Sequence, residues 1–525
     1  MKNPAKHTDV LIAGGGLAGM GLAFQLKNTR PDLDITILEK NTFPVPEGIA
    51  KVGESTVEIG SHYFSRDLLL DDHFEEKQLR KFGLRCFFDN GTGDFSEQDE
   101  LGTSELFGVP TWQLDRGSLE NELHSKLSAL GVRFLDGTVT SNIAIGDKKH
   151  AVSTTGNDAE QLFESRWFID AAGRQALLKK QLHLHKENDH HGNAVWFRID
   201  RRIEIDNWSA NLDWHKRIKL NASRWLSTNH LMGPGYWVWV IPLFSGVTSI
   251  GIVMDDHVMK NNDFASSDKA IGWLRVNQPR LANAIEGAKV LDYVAIENYS
   301  YGCKQALSSE CWGLTGEAGY FSDPFYSPGS DFIAISNNYI KTLLLDDLAG
   351  KDIQLNAAIM QKFLNSFYQN TLSIYTGQYG GFGDRKMMSL KLLWDYSYYW
   401  GVLCLLFFQN TILDMDWMRK NSGDLLRASV LNTRVQSLFR ERAKQRLVLP
   451  GTGAFIDQSE LPCLHVFNRA LIDADKNDPV AQLKINVSML ESIAALLEDM
   501  LESNSTKISS DNEKDLFANY REKIV

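Results

Sequence analysis

Asp9-Val10-Leu11-Ile12-Ala13-Gly14-Gly15-Gly16-Leu17-Ala18-Gly19-Met20-Gly21-Leu22-Ala23-Phe24-Gln25-Leu26 is the stretch whose reading decides the fold. A short apolar run rich in β-branched residues reads as a buried strand, the glycines as a turn, and the residues from Leu17 onward as a helix. The glycines stand at GxGxxG spacing. Gly14 permits the tight turn, Gly16 lets a pyrophosphate approach the backbone, and Gly19 lets the helix pack close to the strand, while the amides at the helix start, with Leu17 and Ala18, face the phosphates. A second strand, Ile35-Thr36-Ile37-Leu38, runs into Glu39 and Lys40, and Glu39 lies twenty residues beyond Gly19, where a carboxylate can accept both ribose hydroxyls of an adenosine. Strand, glycine turn, helix and acid in this register predict a bound dinucleotide.

Outward from that motif, 525 residues are enough for two or three packed lobes, and 43% hydrophobic against 23% charged residues excludes collagen-like and disordered classes. A net charge of −11 argues against a broad grip on nucleic acid or anionic lipid. Cys86, Cys303, Cys311, Cys404 and Cys463 form no CxxC pair, so neither a disulfide framework nor a zinc site is expected. His183, His185, His190 and His191 read as a polar loop, and no metal is expected. The first residues contain no long apolar region, which predicts no signal peptide and a cytoplasmic enzyme. Tyr396 to Leu413 carries no charge, but its Ser397, Gln409, Asn410 and tyrosines read as a buried helix, with membrane contact disfavoured. Ser503 to Lys507 reads as a polar linker and the residues from Asp511 as a final amphipathic helix.

Three further segments resemble the p-hydroxybenzoate hydroxylase class of flavoproteins and favour FAD over NAD. Trp167 to Arg174 is a strand ending at Asp170 in a small-residue turn. Trp312 to Gly319 carries Gly316-Glu317-Ala318 where that class has Gly-Asp-Ala, and Gln113 to Leu123 looks like its Arg-bearing helix start, with Gln113 and Arg116 the implied flavin contacts.

Other segments narrow the resemblance to the flavin-dependent halogenases. Lys51-Val52-Gly53-Glu54-Ser55-Thr56 resembles the family's Gly-Glu-Ser loop, which lies against the flavin, and Trp237-Val238-Trp239-Val240-Ile241-Pro242 matches its WxWxIP motif. In the residues themselves, Trp237, Trp239 and Ile241 alternate and so share one face of a strand. Lys81 aligns with the family's catalytic lysine; an amine can hydrogen-bond hypohalous acid or form a haloamine, which an arginine cannot do with a free amine. Phe321 to Phe332 resembles the family's Asp-Pro loop: Asp323 and Ser330 are implied cofactor contacts, and Ser327 and Gly329 implied halide contacts. Two departures stand out. Pro328 has no N–H to give a halide, and Tyr326 stands where tryptophan halogenases carry a glutamate that assists the lysine.

The fold class expected is α/β: an FAD-binding Rossmann-like domain of the glutathione reductase and p-hydroxybenzoate hydroxylase type, formed from residues 1–185 and 290–350, with an inserted β-rich substrate lobe at 186–289 and a helical substrate-capping region at 351–525. The resemblance implies an FADH2- and O2-dependent halogenase. It would turn chloride or bromide into hypohalous acid, which passes Trp237 and Trp239 to Lys81 and substitutes an electron-rich aromatic, either free or carrier-bound. A separate NAD(P)H-dependent flavin reductase is the expected partner. The alternative is an aromatic hydroxylase of the same fold that has lost halide binding, for which Pro328 is the main argument.

Overall fold

The computed structural model describes residues 5–47, 51–88, 93–156, 161–219, 222–255, 264–449 and 451–502; the polar linker and final helix expected after Ser503 lie outside these. The chain divides into two compact units, Met1–Gln78 with Leu114–Asn188 and Ser300–Gln369, and Leu79–Gln113 with Asp189–Tyr299 and Asn370–Val525.

In the first unit the opening motif forms strand Lys6–Ala13 and helix Leu17–Thr29. Val10, Leu11 and Ile12 are fully buried, as a parallel strand covered on both faces requires. The sheet order is Arg133–Leu135, Ile35–Leu38, Lys6–Ala13, Gln161–Asp170, His150–Thr155, Val139–Ala144, with Trp312–Leu314 alongside the end of Gln161–Asp170. The last two strands of that order run antiparallel, and Trp312–Leu314 and the other pairings are parallel. Ala13 pairs with both Leu38 and Asp170, and Asp170 with Leu314, so the carboxyl ends of four strands line up. The chain enters the sheet at Lys6–Ala13 and departs to either side of it, which opens a crevice beyond those carboxyl ends. Helix Leu17–Thr29 is tied to helix Gly329–Leu348 by a buried polar seam: Gln25 Nε2 donates to Asn338 Oδ1 (2.9 Å) and Asn337 Nδ2 to the Ala18 carbonyl (3.0 Å). This is the Rossmann-like α/β architecture expected from the sequence.

The second unit is built on an eight-stranded sheet in the order Val290–Ile296, Gly192–Ile199, Thr248–Asp255, Tyr236–Pro242, Thr228–Gly233, Leu84–Phe88, Asp99–Gly102, Phe455–Asp457. Residues 79–113 belong here because two of their strands pair into this sheet. Period-two alternation sorts its side chains. Tyr236, Val238, Val240, Phe197, Ile250, Ile252 and Leu231 enter an apolar core with Trp208, Trp214 and Leu274. Trp237, Trp239, Trp196 and His230 therefore stand on the opposite face. Of the C-terminal stretch, residues 370–525 lie in this unit and are largely helical in their described part. Tyr396 to Leu413 is a broken helix in which Trp400, Leu405, Leu406, Phe407 and Phe408 are buried. Among the described residues one helix, Pro479–Leu501, is long and apolar enough to cross a membrane by length and composition alone. It buries Leu483, Val487, Leu490, Ile493, Ala494 and Leu497 along one stripe against helix Ser422–Ala443, the pattern of an amphipathic core helix.

Candidate active site

The first unit's crevice shows which glycines its own packing demands. At Gly14, with φ +114°, a Cβ would lie 2.2 Å from the Ala171 carbonyl oxygen, and at Gly19 it would lie 2.1 Å from that of Gly14. At Gly16 a Cβ would meet nothing closer than Glu120 Oε1 at 4.0 Å. The fold itself thus leaves room beside Gly16, at the start of a helix whose first-turn amides lack intrahelical acceptors, and that space suits a diphosphate. Glu39 is buried and already partnered: Gly15 N donates to Oε2 (2.7 Å), and Asn41 N (2.9 Å) and Nδ2 (2.7 Å) to Oε1. Of roughly four acceptor sites on a carboxylate, these bonds leave about one, room for one ribose hydroxyl rather than two. Lys40 is exposed. Asp170 accepts from Ala172 N (3.1 Å) and Leu178 N (2.7 Å), so it pins its own turn, and burial pushes its carboxyl pKa up.

Gly53-Glu54-Ser55 is held in the same unit. Arg116 donates through Nη1 to the Val52 carbonyl (2.5 Å) and through Nη2 to Glu120 (3.0 Å), which also receives Lys51, and Leu114 N donates to the Glu54 carbonyl (2.7 Å). Arg116 Nε is buried with no hydrogen-bond partner among the described residues, a donor left over for a bound group. In the Asp-Pro loop Asp323 Oδ1 accepts from Phe325 N (2.9 Å), and Ser327, in the left-handed region at φ +57°, donates its amide to the Pro324 carbonyl (2.9 Å). Ser327 therefore retains only its hydroxyl as a donor. The amides of Gly329 and Ser330 fall in the first turn of helix Gly329–Leu348, where the helix offers no acceptor, and the space beside Gly329 is open. The Ser330 hydroxyl is buried with no hydrogen-bond partner among the described residues.

Lys81 lies in the second unit, 5% exposed, its amide donating to the Thr111 carbonyl (2.8 Å). Gln113 is in this unit too, whereas Arg116 is in the first; fully buried, Gln113 donates to Thr228 Oγ1 (2.9 Å). His230 is buried on the tryptophan face, and burial together with the positive charge of Lys81 holds its pKa well below the usual value, so the imidazole is neutral. The Trp237 ring lies 4.7 Å from His230 and 5.7 Å from Trp239, and Trp239 lies 6.4 Å from Trp196. Trp239 Nε1 donates to Ser249 Oγ (3.1 Å) and Trp237 Nε1 to the Tyr379 hydroxyl (2.9 Å). Ile241 and Pro242, on the same strand, are buried. Among the described residues no group of three or more His, Cys, Asp or Glu could hold a metal.

Residues 95–344 match the tryptophan halogenase family model. Flavin-dependent halogenase chlA of Dictyostelium discoideum is 25% identical over 435 residues, which span 76% of this chain and 71% of that protein. The chain is thus similar to the flavin-dependent halogenases. A chlorinase of 1H-pyrrole-2-carbonyl peptidyl-carrier protein from Pseudomonas fluorescens is 23% identical over 345 residues, 61% of this chain and 72% of that one. The fold is similar to that of halogenase PltM solved in complex with phloroglucinol and FAD, with a TM-score of 0.70 at 14% identity over 93% of this chain and 99% of that one.

These relatives indicate an enzyme of the flavin-dependent oxidoreductase type, and the structure adds residues that sequence reasoning missed. His230 and Tyr379 both touch Trp237, yet neither belongs to a spaced motif. His230 reads in sequence as one more strand residue, and Tyr379 sits 142 residues from its hydrogen-bond partner. The one signal for Tyr379 was its setting in Gly377-Gln378-Tyr379-Gly380-Gly381-Phe382-Gly383, a glycine-rich break inside an otherwise helical region.

Proposed function

We propose that this enzyme uses FADH2 and O2 to oxidise chloride or bromide, and that Lys81 delivers the resulting hypohalous acid to an electron-rich aromatic ring. The single observation that carries the reading is Lys81 itself, nearly inaccessible to water and close enough to the neutral His230, on the tryptophan face, for its charge to act there.

FAD fits the first unit through the room at Gly16, the remaining acceptor site of Glu39 and the free Nε–H of Arg116; Gly53, Glu54, Ser55, Asp323 and Ser330 complete the proposed contacts. The bound reduced cofactor would supply two of the four electrons that O2 takes up and the halide the other two, so that halide, O2, FADH2 and a proton become hypohalous acid, FAD and water. For the halide, the donors on offer are the Gly329 and Ser330 amides and the Ser327 hydroxyl, at a helix N-terminus that favours an anion. Pro328 contributes none. In the second unit the Lys81 amine hydrogen-bonds hypohalous acid or takes up its halogen as a haloamine. The ring then gains the halogen and loses a proton, and the oxygen leaves as water. Trp237, Trp239, Ile241 and Pro242 would wall that chamber. The first unit is thus the cofactor module and the second the substrate module, its helical residues shaping the pocket.

With Tyr326 in place of the assisting glutamate, free tryptophan is disfavoured, and a phenol or other activated ring, free or carrier-bound, is the substrate class proposed. A separate NAD(P)H-dependent flavin reductase supplies FADH2, and the setting is the cytoplasm. The test is turnover with reductase, FAD, O2 and bromide or chloride, with monochlorodimedone trapping free hypohalous acid and mass spectrometry reading aromatic products. Lys81→Ala should abolish aromatic halogenation while hypohalous acid is still released. Hydroxylated product formed without halide, or halogenated product surviving in Lys81→Ala, would overturn the reading.

A further inference from the structure

Trp237 is anchored from outside its own sheet strand. Its indole can only donate, so the Tyr379 hydroxyl accepts from it at 2.9 Å, and the same hydroxyl shares a hydrogen bond with that of Tyr299, 3.0 Å away. Tyr299 in turn stands 3.4 Å from His190 Nε2. All four side chains are at least 95% buried. At Gly192 a Cβ would lie 2.3 Å from the Tyr299 hydroxyl, so only glycine there lets Tyr299 reach Tyr379.

Tyr379 is itself held on several sides. Its carbonyl accepts from Gly235 N (2.9 Å), in the turn that leads into the Tyr236–Pro242 strand, and its ring stacks on Phe382 at 4.5 Å. At Gly381 a Cβ would lie 2.2 Å from Met387 Sδ, which fixes the turn against the following helix. A tyrosine held this closely, with its hydroxyl on the indole nitrogen, sets the plane in which Trp237 meets His230.

We propose that Tyr379 is the positioning residue for Trp237, with Tyr299 orienting the Tyr379 hydroxyl, so that the helical C-terminal region fixes one wall of the Lys81 chamber. The inference rests on the proposed role of that chamber. Losing the bond leaves a buried indole N–H unsatisfied and the ring free to turn, which costs orientation at the halogenation step without touching oxidation of the cofactor in the other unit.

The test uses the full-length enzyme and two readouts. In Tyr379→Phe the Trp237 indole N–H resonance, assigned with Trp237→Phe, should move upfield and exchange faster. Halogenated product per FADH2 oxidised should fall about tenfold, with trapped hypohalous acid rising in compensation and the drop residing in kcat more than in KM. Tyr299→Phe should keep the indole bond and show a smaller loss in the same direction. In a Trp237→Phe background, Tyr379→Phe should add nothing. An unmoved indole resonance, an unchanged product-to-hypohalite ratio, or an additive loss in the double variant would each overturn the inference. If Tyr379→Phe does not fold, Tyr299→Phe alone decides: no change in that ratio refutes the chain. The resonance is read without turnover, so failure here is separable from failure of the halogenase reading.

Discussion

Replacing Glu100 by Gln tests how the strands beside Lys81 are held. Glu100 is fully buried between two equally buried arginines: Arg85 Nη1 donates to Oε1, Arg224 Nε donates to Oε1 (2.8 Å) and Arg224 Nη2 to Oε2 (3.1 Å), with Arg217 at 3.5 Å. Burial alone would raise the carboxyl pKa, but the arginines outweigh it and the net shift is downward. Glutamine keeps one acceptor and removes the charge, leaving two desolvated guanidiniums facing each other. Breaking such a buried ion cluster from one side costs about 3–5 kcal/mol. Arg85 retains the Thr103 carbonyl, while Arg224 retains the Trp214 carbonyl (2.8 Å) and the Trp214 ring at 3.6 Å, so the lower end applies. A loss of about 3 kcal/mol raises the local opening equilibrium by roughly 150-fold. Amide hydrogen exchange of strands Leu84–Phe88 and Asp99–Gly102 reads this without assuming two-state unfolding of a two-unit chain. Exchange there should accelerate by about two orders of magnitude, with Lys6–Ala13 in the first unit unchanged. An acceleration below about tenfold would mean that the cluster's Coulomb energy is largely offset by its desolvation, and the reasoning would fail.

Three further outcomes follow from the same geometry. Because the folded pKa of His230 is depressed while the unfolded chain takes up a proton near 6.5, second-unit stability should fall as pH drops below that value, by up to about 1.4 kcal/mol per pH unit. His230→Gln should flatten the urea-midpoint profile below pH 6.5 by that one proton, and an unchanged slope would contradict the assignment. Gly16→Val should abolish FAD binding, measured by flavin fluorescence, with little loss of thermal stability, whereas Gly14→Val should destabilise the first unit outright; similar stability losses in both would refute the distinction drawn at Gly16. Glu39→Gln turns an acceptor into a donor against Gly15 N or Asn41, costing about 1–3 kcal/mol in local stability and weakening FAD binding; a variant that binds FAD as tightly as the parent would show that the remaining acceptor site is not used.

The cofactor half of the molecule was legible because its information is local: Gly14, Gly19 and Glu39 fall within thirty residues, and their spacing records a turn and a helix that the neighbouring chain alone determines. The tryptophan strand was legible for the same reason, since alternation along Tyr236–Pro242 assigns faces without knowledge of what lies opposite. What lies opposite could not be read. Tyr379 meets Trp237 across 142 residues, and nothing in a glycine-rich break says which aromatic its tyrosine will face. Gln113 shows the converse limit. It stands three residues before Arg116 and reads as part of one helix start, yet the chain passes between units at Gln113–Leu114, and the two residues lie in different units. A motif of short span can straddle a domain boundary because backbone continuity constrains neighbours in sequence, not the bodies they join. Burial sharpens the point for Lys81. In sequence it is one cation in a cluster with Lys77, Arg80 and Arg85, and charge clusters face solvent. In the structure Arg85 is drawn inward by Glu100, and Lys81 is nearly inaccessible to water, close enough to the neutral His230 for its charge to act there. Two of the four cations are thus withdrawn from water, Arg85 by a carboxylate 15 residues away, and desolvation, not composition, separates Lys81 and Arg85 from Lys77 and Arg80.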